Sequence, residues 1–414
     1  MIKSIKKNQG SALLISLVII LSISVLIGSS LSFLALSSAA NANNKVKSIQ
    51  SYYLAEAGLE DAILRLKNNM QVASPNIITI NDQSATIEIS DEIGSSRTIT
   101  SQGNTDERIK KVAATYTITT DQVDFFYGAQ AGEGGIIMGN NSQIIGNVFS
   151  NGNISGQGEI TETAMLANNS IIEDAEVGGD LYTYSCNNVD IEGTLYYLSG
   201  GSINGCNYSS AQEIESIEPE DLPIPESQIN DWKDQAMSGG IIYGDYTVSE
   251  NESLGPVKIT GSLTIAINAS LNITGTVYVQ GNINTNNNSV IQLDSSYGSL
   301  SGVIVADGKI ELSNNAIMQG SGNPDSYLML LSTNSSIDLN NPAIDLKNNV
   351  GGAIFYASQG VIYLHNNINI REATGYKLAI DNNAVISYEI GLENVNFSSG
   401  PGGGWSVENW HEVE

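Results

Sequence analysis

From Ser11 to Asn44 the chain carries no charged residue, and within that run Ala12–Leu36 is apolar apart from serines, alanines and one glycine. A bilayer core of about 30 Å needs about 20 apolar residues in a helix, so the segment is long enough to cross one. Ser16, Ser22, Ser24, Ser29, Ser30 and Ser32 can return their hydroxyls to the helix backbone, which makes them tolerable in lipid. Lys3, Lys6 and Lys7 precede the run with no acid among them. That asymmetry predicts a single pass with a cytoplasmic N-terminus and an exported body. Two other readings fit the segment. Ala40-Asn41-Ala42 has the small-residue spacing of a signal-peptide cleavage site, although the apolar core of such a peptide is about 7–15 residues and this run is longer. A plain membrane anchor is the other.

Beyond the apolar run, Ile49, Tyr52, Glu56, Leu59, Ile63, Leu66 and Met70 recur at steps of 3 and 4, predicting that the helix continues as an amphipathic one. Glu56 is the one charged member of this stripe: either it lies at the stripe's edge in water, or it is a buried carboxylate paired with a cation from the globular domain or from a neighbouring subunit. Asn68, Asn69 and Pro75 end the helix. The leader through Gly10, the apolar helix and the segment LAEAGLEDA (Leu54–Ala62) together resemble the N-terminal region of PilX-type minor pilins and related type IV pilus biogenesis proteins; the resemblance covers residues 1–70. It implies cleavage by a prepilin peptidase after Gly10 and methylation of the new N-terminus at Ser11. It also implies contact with the bacterial inner membrane and then with other pilins through the helix. Major pilins carry glutamate at the fifth mature position; here that position is Ile15, which fits a low-copy subunit at a filament tip or in an initiation complex.

The 414 residues include 44 acidic and 17 basic ones, a net charge of −27, and loss of Lys3, Lys6 and Lys7 with the leader would make it −30. Such a chain does not bind nucleic acid unaided, which takes clustered Lys and Arg. With only 15% charged residues it is an acidic globular protein, not a disordered polyanion. Residues 71–124 read as a small antiparallel sheet: Ala85–Ser90, Arg97–Gly103 and Lys110–Thr119 alternate with period two. Val112, Ala114, Tyr116 and Ile118 share a face and are expected to meet Leu59 and Ile63. From residue 125 a repeat takes over. Asn pairs at 140, 168, 187, 287, 314, 340, 366 and 382 each precede or open an apolar strand, mostly 16 to 28 residues apart. Repeats of that length predict a right-handed parallel β-helix. Asn would hold left-handed corners and stack amide on amide, and Ile, Val and Leu would form internal ladders. A β-sandwich is the competing fold, but the expected two-residue hairpin turns are scarce. The fold class expected is therefore mainly β: a long N-terminal helix with a small antiparallel sheet, then a solenoid in two parts, 125–212 and 239–398.

Between those parts, residues 213–238 are acidic and contain Pro219, Pro223 and Pro225. The end of the segment predicts a short helix with Ile229, Trp232 and Ala236 on one face, either docked across the solenoid by Trp232 or serving as a partner-binding arm. Cys186 and Cys206 are twenty residues apart, about one coil, so adjacent coils can bring them within disulfide reach. The tail, 399–414, carries Trp405, Val407, Trp410 and Val413 and is expected to turn back over the last coil or along the body. For catalysis there is little. His365 and His411 are far apart, no metal, phosphate or nucleophile motif is present, and no cofactor is expected. Asp307, Lys309 and Glu311 form an outward face expected to be solvated, which leaves a polysaccharide-cleaving activity as the weakest alternative. Tyr182, Tyr184, Tyr196 and Tyr197 are candidates to stack on a glycan. The expectation is a non-enzymatic minor pilin-like subunit of a type IV pilus or related filament, displaying its β-helical head for assembly or for adhesion to a glycan or surface ligand. A permanently anchored surface-binding protein is the alternative.

Overall fold

The computed structural model describes residues 9–67, 74–90, 96–118, 120–400 and 405–413. Helix α1 (Gln9–Lys67) is continuous over 59 residues, roughly 90 Å at 1.5 Å per residue. The leader residues Lys3, Lys6 and Lys7, and Met70, lie outside the described residues. Every residue from Leu13 to Leu36 is exposed. Ser16, Ser22, Ser29 and Ser30 each donate their hydroxyl to a carbonyl three or four residues back, so the span presents little unsatisfied polarity.

The second half of α1 packs on a sheet of β1 (Asn76–Ile80), β2 (Gln83–Ile89), β3 (Ser96–Thr105) and β4 (Arg108–Ile118). A fifth strand, Trp405–Val413, follows β4 in the sheet order. One face of the sheet buries Ala85, Ile87, Ile99, Val112, Ala114 and Tyr116, as alternation along a strand requires. The helix face that meets them differs from the one the spacing predicts. Ser51, Leu54, Ala55, Gly58, Leu59 and Ala62 are buried, whereas Tyr52, Glu56, Ile63 and Leu66 are only half-buried and Ile49 is exposed. The reason is steric: the sheet comes too close for large side chains. A Cβ on Gly103 would lie 2.0 Å from the carbonyl oxygen of Ser51, and one on Gly58 would lie 2.4 Å from Ser101 Oγ. Ser51 Oγ donates to the carbonyls of Lys47 and Arg108, tying helix to strand.

Residues 129–387 form a parallel β-solenoid with three strand ladders wound around an apolar interior. At its corners Asn141, Asn168, Asn188, Asn268, Asn288, Asn315, Asn349, Asn367 and Asn383 all have φ between 52° and 61°, the left-handed region that Asn tolerates. Several share an amide ladder: Asn288 Nδ2 donates to Asn268, Asn315 to Asn288, and Asn349 to Asn315, at 3.0–3.2 Å.

The coils are not stacked in chain order. One ladder begins at Ile241–Ile242 and continues through Val257–Ile259, Val277–Val279, Gly302–Ala306, Leu328–Ser332, Ile354–Leu364 and Glu372–Ile380. The next strand in space is Ala129–Met138, which pairs with Glu372–Ile380 in parallel. The ladder then runs through Val148–Ser150, Ala164–Leu166, Leu181–Thr183 and Thr194–Leu198 to Ser210–Ile214. The solenoid is thus circularly permuted. The chain enters in the middle, winds to one end at Ile214, reappears at the opposite end at Ile241, and winds back to the middle. Asn141 Nδ2 donates to Asn383 Oδ1 across that junction, so the amide ladder passes through it.

Residues 215–240 make the return. Thirteen strands in the ladder separate its ends by roughly 58 Å at 4.8 Å per step. Helix α2 (Glu226–Ser238) supplies about 20 Å of this, and the eleven residues Glu215–Pro225 supply about 36 Å when extended. Hydrogen bonds mark the path in order: Asn151 to the Glu220 carbonyl, Gln130 to Asp221, Tyr356 to Ile224. The prolines suit this segment because an extended crossing needs few backbone donors. Where the solenoid's chain begins and ends, Thr120–Val123 pairs antiparallel with Val395–Ser398. The head is therefore an insertion between two neighbouring strands of the small sheet, β4 and Trp405–Val413. The tail does not cap the solenoid as expected. Ser399 accepts from the backbone N–H of Thr276, on the third coil counted from Ile241, and Trp405–Val413 completes the small sheet instead. Val407 and Trp410 remain 40% exposed.

Candidate functional site

Gly10 and Ser11 lie in the first turns of α1, at the start of the exposed apolar run. Ile15 is also exposed there. Glu56 is half-buried and accepts a hydrogen bond from Tyr52. It makes no ion pair among the described residues.

On the head, Cys186 and Cys206 are disulfide-bonded with Cα atoms 6.5 Å apart. Cys186 pairs with Ile203 of the neighbouring coil, so the bond links two successive turns near one end.

The outer surface under α2 is apolar. Ile229, Trp232 and Ala236 sit on Tyr278, Val303, Val305, Met329, Leu331 and Phe397. Trp232 packs edge-on against Phe397 with centroids 5.6 Å apart and donates its Nε1–H to Asp121 at 2.8 Å. Lys233 donates to Asp307 at 2.6 Å, and Tyr278 and Thr333 donate to the same carboxylate. Burial pushes the Asp307 carboxyl up, but these bonds outweigh it and hold the group below its ordinary value. Asp307 is therefore a fastening point for α2, not part of a solvated face with Lys309 and Glu311. Desolvation and Asp307 together push the Tyr278 phenol up to about 12.

The tyrosines do not form a sugar platform. Tyr182 and Tyr196 are register partners on adjacent strands and stack on one another, centroids 4.3 Å apart and 6° from parallel. In-register stacking turns their faces along the axis and leaves mainly edges toward solvent. Tyr184 donates to the Gly200 carbonyl, and Tyr197 packs against the interior.

Sequence reading missed two groups. His365 stacks on Tyr363 at 4.1 Å and bonds Asp345 at 2.9 Å, while Lys347 pairs with Asp345 and Tyr363 donates to Asp381. These residues share adjacent rungs, Asp345 beside Tyr363, and form a closed polar ladder. The second is a cleft of about 850 Å³ lined by Asn272, Gln292, Asp294, Gln319, Arg371 and Glu389 among others. Its origin is a notch: at Gly351-Gly352 a ladder is reduced to isolated bridges from Gly351 to Ile317 and Asn369. The turn at Ser295–Leu300 and the loop Gly320–Ser326 overhang it, joined by Ser321 donating to the Gly298 carbonyl. Only the Gly-Gly pair could have signalled it in sequence. Among the described residues no His/Cys/Asp/Glu group has metal-binding geometry.

No protein-family profile matches the chain, and no curated protein sequence is similar to it. Among solved structures it is similar to the competence-associated pilin ComZ from Thermus thermophilus, at 11% identity, with 89% of this chain and 97% of that one covered and a TM-score of 0.26. A score that low defines no common arrangement.

Proposed function

We propose that the chain is a minor pilin-like subunit of a type IV pilus or related filament. Its helix is held first in the inner membrane and then among other pilins, and its β-solenoid head is displayed for assembly or adhesion. The observation that carries this reading is the division of α1: Leu13–Leu36 is bare, while the turns from Ser51 onward are packed on an antiparallel sheet. The first part suits lipid or neighbouring helices; the second is the root of an exported body. Assembly and display need no catalysis, and the chain is read as a non-enzyme without cofactor. Prepilin peptidase is its first partner, cutting between Gly10 and Ser11.

Mass spectrometry of the N-terminal peptide from native cells tests the proposal. A methylated start at Ser11 is expected. An intact leader would leave a permanently anchored binding protein, and a start at Asn43 would identify a cleaved secretory signal; either sinks the filament role.

A further inference from the structure

We propose that the cleft at Gly351-Gly352 is a binding site for a short, uncharged oligosaccharide. This deepens the display reading by naming what the head holds. Three observations carry it.

The first is a ladder of primary amides. Ser253, Asn272, Gln292 and Gln319 are register partners on four successive parallel strands, and the last three line the cleft. Neighbouring strands are about 4.8 Å apart, so the ladder repeats a donor-acceptor pair at a spacing close to that of successive sugars in an extended glycan. Each amide offers two donors and an acceptor, the combination that adjacent hydroxyls on a pyranose ring satisfy. The side chains of Gln292 and Gln319 make no hydrogen bond within the protein among the described residues, so their capacity is open. Asn272 is oriented: its Nδ2 donates to Asp294 Oδ2 at 2.6 Å and to Ser253 Oγ at 3.4 Å, so its open group is the carbonyl oxygen.

The second is rigidity. Burial pushes Asp294 up, but bonds from Ser296 and Asn272 prevail and hold the carboxyl below its ordinary value. At the far wall Arg371 is paired with Glu389, and Glu389 also accepts from Tyr327 at 3.1 Å. The wall is thus pre-formed, and its one cation is already neutralised.

The third is charge. With Asp294 ionised, Arg371 paired and a chain charge of −27, an acidic glycan or an anionic peptide would be repelled, whereas neutral hydroxyls and N-acetyl groups carry no such cost. The volume of about 850 Å³ lies within the range of small-ligand sites, about 300–1,000 Å³.

The test uses the full-length protein in detergent micelles on a printed array of neutral, N-acetylated and acidic oligosaccharides, followed by titration calorimetry with the best neutral hit. Binding to neutral members and none to uronic or sialylated ones is expected. Gln292→Ala/Gln319→Ala should weaken it about tenfold or more with an unchanged melting temperature, since both side chains lie outside the core. Tyr196→Ala, at the other end of the solenoid, should leave it intact. No binding on the array, a preference for acidic glycans, or full affinity in the double variant overturns the assignment. N-terminal processing is read separately: unprocessed protein that binds sugar ends the filament proposal and spares the cleft, and processed protein that binds none does the reverse.

Discussion

The two halves of the solenoid are built from the same coil but differ in what their outer surface must do. In residues 129–214 the register partners Val148, Ala164, Leu181, Leu195 and Ala211 recur every 14 to 17 residues. The strands from Ala164 to Leu198 alternate between an inward apolar side chain and an outward one that meets solvent, as in Leu181-Tyr182-Thr183, whereas Val148–Ser150 is buried throughout. In residues 241–387 the steps lengthen to 20, 27 and 26 residues at Val257, Val277, Ile304 and Leu330. Gly302–Ala306 and Leu328–Ser332 are buried at every position, because α2 and the paired strands at 120–123 and 395–398 cover their outer side. A parallel strand covered on both faces reads as a continuous apolar run. One coil thus serves as a bare rod beyond the crossing in the first half and as the floor of a second core in the other. The crossing imposed by the permutation decides which.

Removing the cover should have the largest effect. Trp232→Ala deletes the largest buried side chain of α2 together with its bond to Asp121, and truncations of this kind cost about 3–5 kcal/mol. The loss should fall on one half. Hydrogen exchange should accelerate at Gly302–Ala306 and Leu328–Ser332 and stay unchanged at Leu181–Thr183. Equal acceleration in both halves would show that the solenoid unfolds as one unit and that the distinction drawn between them has no energetic meaning.

The outer coils of the first half, which lie beyond the crossing, are stapled instead. Replacing Cys186 and Cys206 with serine should cost about 3 kcal/mol by loop closure and loosen the terminal coils Thr194–Ile214 before α2 releases. Peptide mapping of exported protein without reductant should recover the linked pair. Finding both thiols free would leave the bare half without its staple.

At the junction lies Glu372, fully buried and aligned with Ile354 beneath Tyr356 and Tyr388. One carboxyl oxygen accepts from Thr374, and the other has no partner among the described residues. Burial, opposed only by that bond, raises its pKa well above the ordinary value. Below about pH 4.3 both folded and unfolded chains are protonated; above it the unfolded chain ionises while the native one resists, so stability is lost as pH rises toward the native value. Glu372→Gln keeps the shape and removes the titration. It should be the more stable protein at pH 8, by about 1 kcal/mol or more, with the gap closing near pH 4. A gap independent of pH would mean that Glu372 is ionised in the folded state.

Much of the solenoid was legible because its signal is local. Asn pairs mark corners, apolar residues mark the interior, and the spacing of two cysteines matches one coil. The order of the coils was not, since parallel pairing is equally good between any two matched rungs and the 241-first arrangement is encoded only in the reach of residues 215–240. The same non-local step hid the role of Asp307, whose partner Lys233 lies in the crossing, and the destination of Trp405–Val413. On α1 the stripe was misread because contact there depends on small residues, Ala55, Gly58 and Ala62, while hydrophobicity weights large ones. The cleft escaped because it is made by a missing strand at Gly351-Gly352.

The smallest effect should come from the Tyr182–Tyr196 stack, and it sharpens the comparison where the halves differ most visibly. Under α2, outward aromatics such as Tyr278 are fixed by Asp307 and by Lys233 and Lys258 over the ring at 5.3 and 5.2 Å. On the bare half Tyr182 and Tyr196 have chiefly one another. Such a pair is worth about 0.5–1.5 kcal/mol beyond its burial, and both rings are half-exposed. Tyr196→Ala should therefore cost about 1 kcal/mol, and the Tyr182→Ala/Tyr196→Ala double variant little more than either single, because each change removes the same contact. Urea denaturation of the two singles and the double gives the coupling directly. Additive losses would mean that each ring is held by its own surroundings, and the bare half would then have a cover of its own still to be found.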